Sequence, residues 1–72
     1  MKLNKAVIYY RELIGITEYK LSIVSGIDRG ALHRMLKKED WNPEIYTLER
    51  LAKAVSVNVS DIVLKAEELG NE

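Results

Sequence analysis

One glycine separates two short amphipathic segments in the run LSIVSGIDRGALHRML, residues 21–36. Gly26 supplies a turn, Ile27 is placed to fill the corner between the segments, and Asp28 stands where a helix N-cap is preferred. The first segment ends one apolar face near Ser25, and the second begins at Arg29. This spacing predicts a helix-turn-helix, two helices packed across a tight corner.

The second of these helices has two chemically different sides. Helical spacing turns Leu32, Met35 and Leu36 toward a core. The remaining side is rich in cations and has no acid; it carries Arg29, Gly30, His33, Arg34 and Lys37. A side of this composition faces solvent or an anionic partner.

Apolar residues at three- and four-residue spacing predict a helix before this pair. Asn4 is its predicted cap and Gly15 its left-handed end. Its expected core stripe is Leu3, Ala6, Val7, Tyr10, Leu13 and Ile14. Thr17 is then the predicted cap of the next helix, which continues to about Ser25.

Two more helices are predicted after a polar loop at 38–46, where Pro43 prevents a helix from continuing through Asn42. Thr47 is the predicted cap of the fourth helix, which ends at Ser56. Its core stripe is Leu48, Leu51, Ala52 and Val55. Asn58 caps the fifth, with Asp61 three residues on, close to a capping box. The core stripe of this last helix is Val59, Ile62, Val63, Ala66 and Leu69.

These elements predict an all-α, compact five-helix fold in a single domain over residues 1–72. A chain of 72 residues buries only about 60% of its unfolded surface, so its stability is expected to be modest. No cysteine is present to form a disulfide or a thiolate metal site. The longest apolar run, residues 6–10, is far shorter than the roughly 20 residues of a membrane span. We therefore expect a soluble cytoplasmic protein with no cofactor or metal.

Catalysis has little support in the sequence, and we predict that the protein is not an enzyme. The chain has one histidine and no cysteine. It also has no glycine-rich phosphate loop and no cluster of residues with metal-ligand spacing.

Charge is distributed unevenly along a chain whose net charge is zero. Residues 1–38 contain eight Lys or Arg against three Asp or Glu, a net charge of +5. Residues 39–72 contain three against eight, a net charge of −5. A neutral protein can therefore present a positive surface, although solvated charged faces are also common in helical proteins.

The combined spacing of these residues resembles the Cro/C1-type (XRE-type) helix-turn-helix family, whose five-helix domain is similar to the N-terminal domain of phage lambda repressor. The resemblance covers nearly the whole chain. It depends on Arg11, Gly15-Ile16-Thr17, Leu21, Ser25-Gly26-Ile27, Arg29, Leu32, Arg34, Met35, Asn42-Pro43, Leu48, Leu51-Ala52-Lys53-Ala54-Val55, Val57 and Ile62.

The resemblance implies a DNA-binding regulator of transcription whose third helix enters the major groove. Carried over by position, it assigns base contacts to Arg29, Gly30 and Arg34, with His33 beside them. Each arginine can offer a guanidinium fork to guanine, worth about 1 to 3 kcal/mol of discrimination. Gly30 lets the helix approach the base edges closely.

The resemblance also implies phosphate contacts and a homodimer. The residues expected to bind phosphate are Thr17, Lys20, Lys37, Lys38, Asn42 and Tyr46. Those expected at the dimer interface are Val57, Val59, Val63 and Leu69. Together they predict a small Cro-like or prophage-type repressor that binds a palindromic operator in double-stranded DNA, with no small-molecule ligand.

Four positions depart from the family pattern. Glu18 stands where glutamine is frequent and brings a carboxylate near the expected phosphate. Tyr19 replaces a glutamate that usually pairs with the helix-one arginine, so Arg11 needs another partner or stacks on the tyrosine ring. Lys38 replaces a glycine, and Trp41 lies in a longer loop, where we expect it to cover the core.

An alternative is a protein-interaction module of the same fold, antitoxin-like or antirepressor-like, with weak DNA affinity. The neutral net charge and the two acids Glu18 and Asp28 favour it. Apolar residues outside the predicted core stripes would be available to a partner; they are Ile8, Tyr9, Ile23 and Val24.

Overall fold

A computed structural model describes residues 1–70, which form five helices. The helices are α1 (Leu3–Ile14), α2 (Glu18–Ser25), α3 (Arg29–Lys37), α4 (Ile45–Ala54) and α5 (Val59–Gly70). Residues 1–70 contain no strand. The prediction of an all-α fold with five helices is confirmed.

All five helices contribute side chains to one hydrophobic cluster. Its buried members are Ala6, Val7, Leu21, Ile27, Leu32, Leu36, Leu48, Leu51, Ala52, Val55, Ile62 and Ala66. The predicted stripe of α4 is therefore correct throughout. Met35, expected to point inward, is only half-buried against this cluster. No helix within residues 1–70 combines the length and the apolar character needed to cross a bilayer.

Both predicted glycine corners are confirmed. Gly15 and Gly26 end their helices in the left-handed region, with φ of 77° and 74°. The next helix is capped in each case: the Thr17 hydroxyl accepts from the Lys20 N–H at 3.0 Å, and the Asp28 carboxylate accepts from the Ala31 N–H at 3.1 Å. These bonds satisfy backbone donors that have no partner inside the helix.

Two predicted caps are wrong. Asn4 does not cap α1, which begins at Leu3. Its buried side chain instead donates from Nδ2 to the carbonyl of Leu36 at 3.1 Å, satisfying an acceptor in the last turn of α3. Thr47 does not cap α4, because that helix begins two residues earlier and Glu44 holds the cap position without a side-chain hydrogen bond.

The last turn of α1 also differs from the prediction. Leu13 and Ile14, expected in the core, are 65% and 44% exposed. The cause is the position at which the partner helix, α5, begins. Tyr10 already donates to the carbonyl of Asp61, in the first turn of α5, at 3.4 Å. The turn of α1 that follows therefore extends past the beginning of α5.

Helices α1 and α5 pack together along most of α1. Besides the Tyr10 bond, the Lys2 N–H donates to the carbonyl of Ala66 at 3.0 Å. At the start of α5, the Asp61 carboxylate accepts from the Asn58 N–H at 2.8 Å, which is the bond that a capping box predicts for this position. This packing places α3 and α2 on the remaining sides of the core.

Candidate functional site

The outer side of α3 has the composition that the sequence predicts. Its five residues Arg29, Gly30, His33, Arg34 and Lys37 are all exposed. The helix contains no acidic residue, and Leu32 and Leu36 anchor the opposite side in the core. The face therefore presents three permanent cations and one imidazole to solvent.

Arg29 is held against α2 by an aromatic ring. Its guanidinium carbon lies 5.1 Å from the ring centroid of Tyr19, a cation–π contact. The alternative in which Arg11 stacks on Tyr19 is wrong: Arg11 donates from Nη1 to the carbonyl of Ile16 at 2.8 Å. Tyr19 thus positions a cation of α3.

His33 is also tied to α2. Its Nδ1 donates to Oε1 of Glu18 at 2.7 Å, and the two side chains retain 55% and 30% exposure. The carboxylate that departs from the family pattern is therefore directed at the imidazole. Two of the four predicted base contacts, Arg29 and His33, have partners on α2.

Gly30 leaves room above the first turn of α3. A Cβ atom built at this position would lie 3.3 Å from Oδ2 of Asp28 and 3.4 Å from Nη1 of Arg34. The first distance is tighter than an ordinary van der Waals contact, and the second is at the lower limit of one. The glycine therefore allows the capping carboxylate and the Arg34 guanidinium to approach the start of the helix.

Arg50 of α4 is a positioning residue that the sequence does not predict. Its Nε donates to the carbonyl of Ser25, at the end of α2, at 3.0 Å. Its guanidinium packs against Gly26 and lies 5.5 Å from the ring centroid of Tyr46. The only signal in the sequence is an arginine four residues after a tyrosine, which does not indicate the partner in α2.

The six residues expected to bind phosphate are all exposed. They are Thr17, Lys20, Lys37, Lys38, Asn42 and Tyr46. Thr17 and Lys20 lie together at the beginning of α2, where free N–H groups and the helix dipole favour an anion. Lys37 and Lys38 lie at the end of α3, Asn42 follows in the loop, and Tyr46 packs against Arg50.

The residues expected at the dimer interface are partly covered within one chain. Val57, Val59, Val63 and Leu69 are half-buried, and the first two pack against the core. Leu64, on the outer side of α5, is an exposed large apolar residue of this region.

A groove beside α3 completes the surface. It is lined by Ala31, Arg34, Met35, Lys38 and Trp41. Trp41 is half-buried and packs against the core cluster, as predicted for a side chain that covers the core. The groove therefore has an apolar floor and two cations at its sides, and it lies next to the outer side of α3.

Residues 1–70 contain no group of three or more His, Cys, Asp or Glu side chains that could hold a metal ion. Comparison with family models, curated proteins and solved structures finds no match to this chain. The resemblance to the Cro/C1-type family stays a prediction.

Proposed function

We propose that this protein is a sequence-specific DNA-binding regulator of transcription, acting in the cytoplasm as a small Cro-like repressor. The observation that carries the proposal is the outer side of α3, which is exposed and cationic and whose own residues include no acid. A helix with this side fits the major groove of B-DNA, which is about 12 Å wide.

Base recognition is assigned to Arg29 and Arg34, with Gly30 and His33 between them. Each guanidinium can donate two hydrogen bonds to O6 and N7 of guanine. Because Gly30 has no side chain, the first turn of α3 can approach a base edge more closely. Asp28 and Tyr19 support this use by capping α3 and by orienting Arg29.

Affinity is assigned to the residues that flank α3. The amide groups at the start of α2, with Thr17 and Lys20, would bind one phosphate, and Lys37 and Lys38 would bind another. Asn42 and Tyr46 extend this set. Such contacts position a protein on the duplex without reading its sequence.

A homodimer is part of the proposal, with the exposed parts of Val57, Val59, Val63 and Leu69 at its interface. Two copies of α3 related by twofold symmetry would meet half-sites about one helical turn apart. The operator is therefore expected to be palindromic.

Selection of bound sequences from a random duplex pool tests the proposal, followed by fluorescence anisotropy on the selected duplex. Arg29→Ala and Arg34→Ala are each expected to weaken binding by about 1 to 3 kcal/mol and to relax specificity. Lys37→Ala is expected to weaken binding to all duplexes and to lower the salt slope by about one.

Lys53→Ala is the matched control, since Lys53 is an exposed cation on α4, away from α3. If no consensus is selected, or if the double variant Arg29→Ala/Arg34→Ala binds as the wild type does, DNA recognition by α3 is rejected.

A second candidate is the protein-interaction module with weak DNA affinity. The observation that favours it is the pair of contacts from Glu18 to His33 and from Tyr19 to Arg29, which involve two of the four residues assigned to base contacts. Binding to duplex DNA without steep salt dependence would support this candidate, because phosphate contacts release counterions.

A further inference from the structure

The groove beside α3 has the chemistry of a docking site. Ala31, Met35 and Trp41 pack partly buried against the core and turn their remaining apolar surface to the groove. Arg34 and Lys38, both exposed, stand at the sides. An apolar side chain flanked by carboxylates would lose its water-exposed surface there and place its charges beside the cations.

The outer side of α5 carries an arrangement of that kind. Leu64 is 58% exposed, and Glu67 and Glu68 follow at three and four positions along the helix, where they flank it. Lys65 donates to Oε2 of Glu68 at 2.8 Å, and its ammonium lies 4.3 Å from the ring centroid of Tyr9. We call Leu64, Glu67 and Glu68 the acidic knob.

We propose that the acidic knob of one copy of this chain docks in the groove of a second copy. Among the exposed large apolar side chains of residues 1–70, Leu64 is the one with acids both three and four positions further along its own helix. The groove lies mainly in the half of the sequence with net charge +5, and the knob lies in the half with net charge −5. A net charge of zero leaves little repulsion between copies.

The contact is head to tail, because it joins two different surfaces. Such an interface repeats from copy to copy and closes into a ring or continues as a filament. It differs from the twofold interface assigned to Val57 and Val63, which joins like surfaces.

Arg34 belongs both to the groove and to the outer side of α3, so a docked knob covers one of the cations assigned to DNA. Self-association and operator binding are then expected to compete. This consequence rests on the proposed function, whereas the contact itself does not.

Sedimentation of the full chain at low salt, without DNA, tests the contact. The weight-average mass of the wild type is expected to rise with concentration past that of a twofold dimer, which is twice the chain mass of 8.2 kDa. A groove variant, Arg34→Glu/Lys38→Glu, and a knob variant, Glu67→Lys/Glu68→Lys, are each expected to associate about tenfold more weakly. An equimolar mixture restores association, because the unchanged knob of the first meets the unchanged groove of the second.

Two further measurements guard against loss of folding. Leu64→Ser is expected to abolish association beyond the twofold dimer, while Leu13→Ser, which changes another exposed leucine, on α1, leaves it intact. Circular dichroism checks that each variant is helical. Trp41 is the one tryptophan of the chain, so its emission reports directly on the groove and is expected to shift when the wild type associates.

A wild type that stays monomeric at every concentration overturns the proposal, as does a mixture of the charge variants that fails to associate. Association that persists unchanged in each charge variant alone assigns it to the twofold interface instead. If the wild type stays monomeric while a synthetic peptide with leucine beside two glutamates shifts the Trp41 emission, the groove takes another acidic partner. Each of these outcomes is independent of the operator-binding result.

Discussion

The α1–α2 corner and the α2–α3 corner share one local sequence pattern. Residues 15–17 are Gly-Ile-Thr and residues 26–28 are Gly-Ile-Asp. In each, a left-handed glycine ends one helix, an isoleucine follows, and the third residue caps the next helix. An arginine also donates to a carbonyl at each corner, Arg11 at the first and Arg50 at the second.

The two corners differ in what surrounds the glycine. A Cβ atom on Gly15 would meet nothing within 4 Å, whereas one on Gly26 would lie 2.6 Å from Nη2 of Arg50. Ile27 is buried and Ile16 only half-buried. The first corner is formed by residues close in sequence, while the second is also held from α4. The corner that positions α3 is therefore the one with tertiary support.

The largest expected difference is between alanine substitutions at the two glycines. Gly15→Ala is expected to cost about 1 to 2 kcal/mol, the cost of a side chain in the left-handed region. Gly26→Ala is expected to cost about 2 to 4 kcal/mol, because Arg50 must also move and weaken its bond to Ser25. Urea denaturation of both variants measures the difference, and equal losses would contradict the role given to Arg50.

Arg50→Ala tests separately the support that Arg50 gives to the α2–α3 corner. Loss of the charged hydrogen bond to the Ser25 carbonyl is expected to cost about 1.5 to 3 kcal/mol. In the Arg50→Ala background, Gly26→Ala is expected to cost only about 1 to 2 kcal/mol, the value of the open corner. A double-mutant cycle gives the coupling energy. Lys53→Ala, on the exposed side of the same helix, is the control and is expected to change stability by about 0.5 kcal/mol or less.

Removal of the cap is expected to lower the free energy of unfolding by a similar amount at the two corners. Thr17→Ala and Asp28→Ala each remove one side-chain acceptor from a backbone N–H, which costs about 1 kcal/mol. Because both bonds are local, the free energies of unfolding of the two variants are expected to fall by similar amounts in urea. A much larger loss for Asp28→Ala would extend the tertiary support of the second corner to its cap.

The smallest effect concerns the Glu18–His33 pair, which spans the second corner. Glu18→Gln is expected to change the free energy of unfolding by about 1 kcal/mol or less, as for other solvent-accessible pairs. If α3 binds DNA, the same change raises affinity by about two- to fivefold, because a carboxylate is removed from beside the phosphates. Glu49→Gln, on the exposed side of α4, serves as the control in anisotropy measurements. Weaker binding by Glu18→Gln would assign Glu18 a supporting role instead.

The sequence predicts the parts of this fold that depend on neighbouring residues. Left-handed glycines at 15 and 26, the caps Thr17 and Asp28, and the stripe of α4 all follow from local chemistry or from one helical period. Asn4 looks like a cap by the same rules. It is buried because Leu36, 32 positions away, offers an unpaired carbonyl, and this partner is invisible to periodicity.

The candidate site also has features that the sequence predicts and features that it does not. Helical spacing predicts correctly that Arg29, Gly30, His33 and Arg34 are exposed. It does not predict that Tyr19 and Glu18 hold two of them, since those partners belong to another helix whose distance and angle are set by packing. Arg50 was missed for the same reason.

The seam between α1 and α5 has a consequence for the order of folding. It joins residues far apart in the sequence, such as Tyr10 and Asp61, 51 positions apart, whereas α2 and α3 meet across three residues. Closing a longer loop costs more conformational entropy before a stabilising contact can form. Contacts between residues distant in sequence therefore slow folding. Helices α2, α3 and α4 are therefore expected to dock before the seam between α1 and α5 closes. The native state is completed when that seam closes.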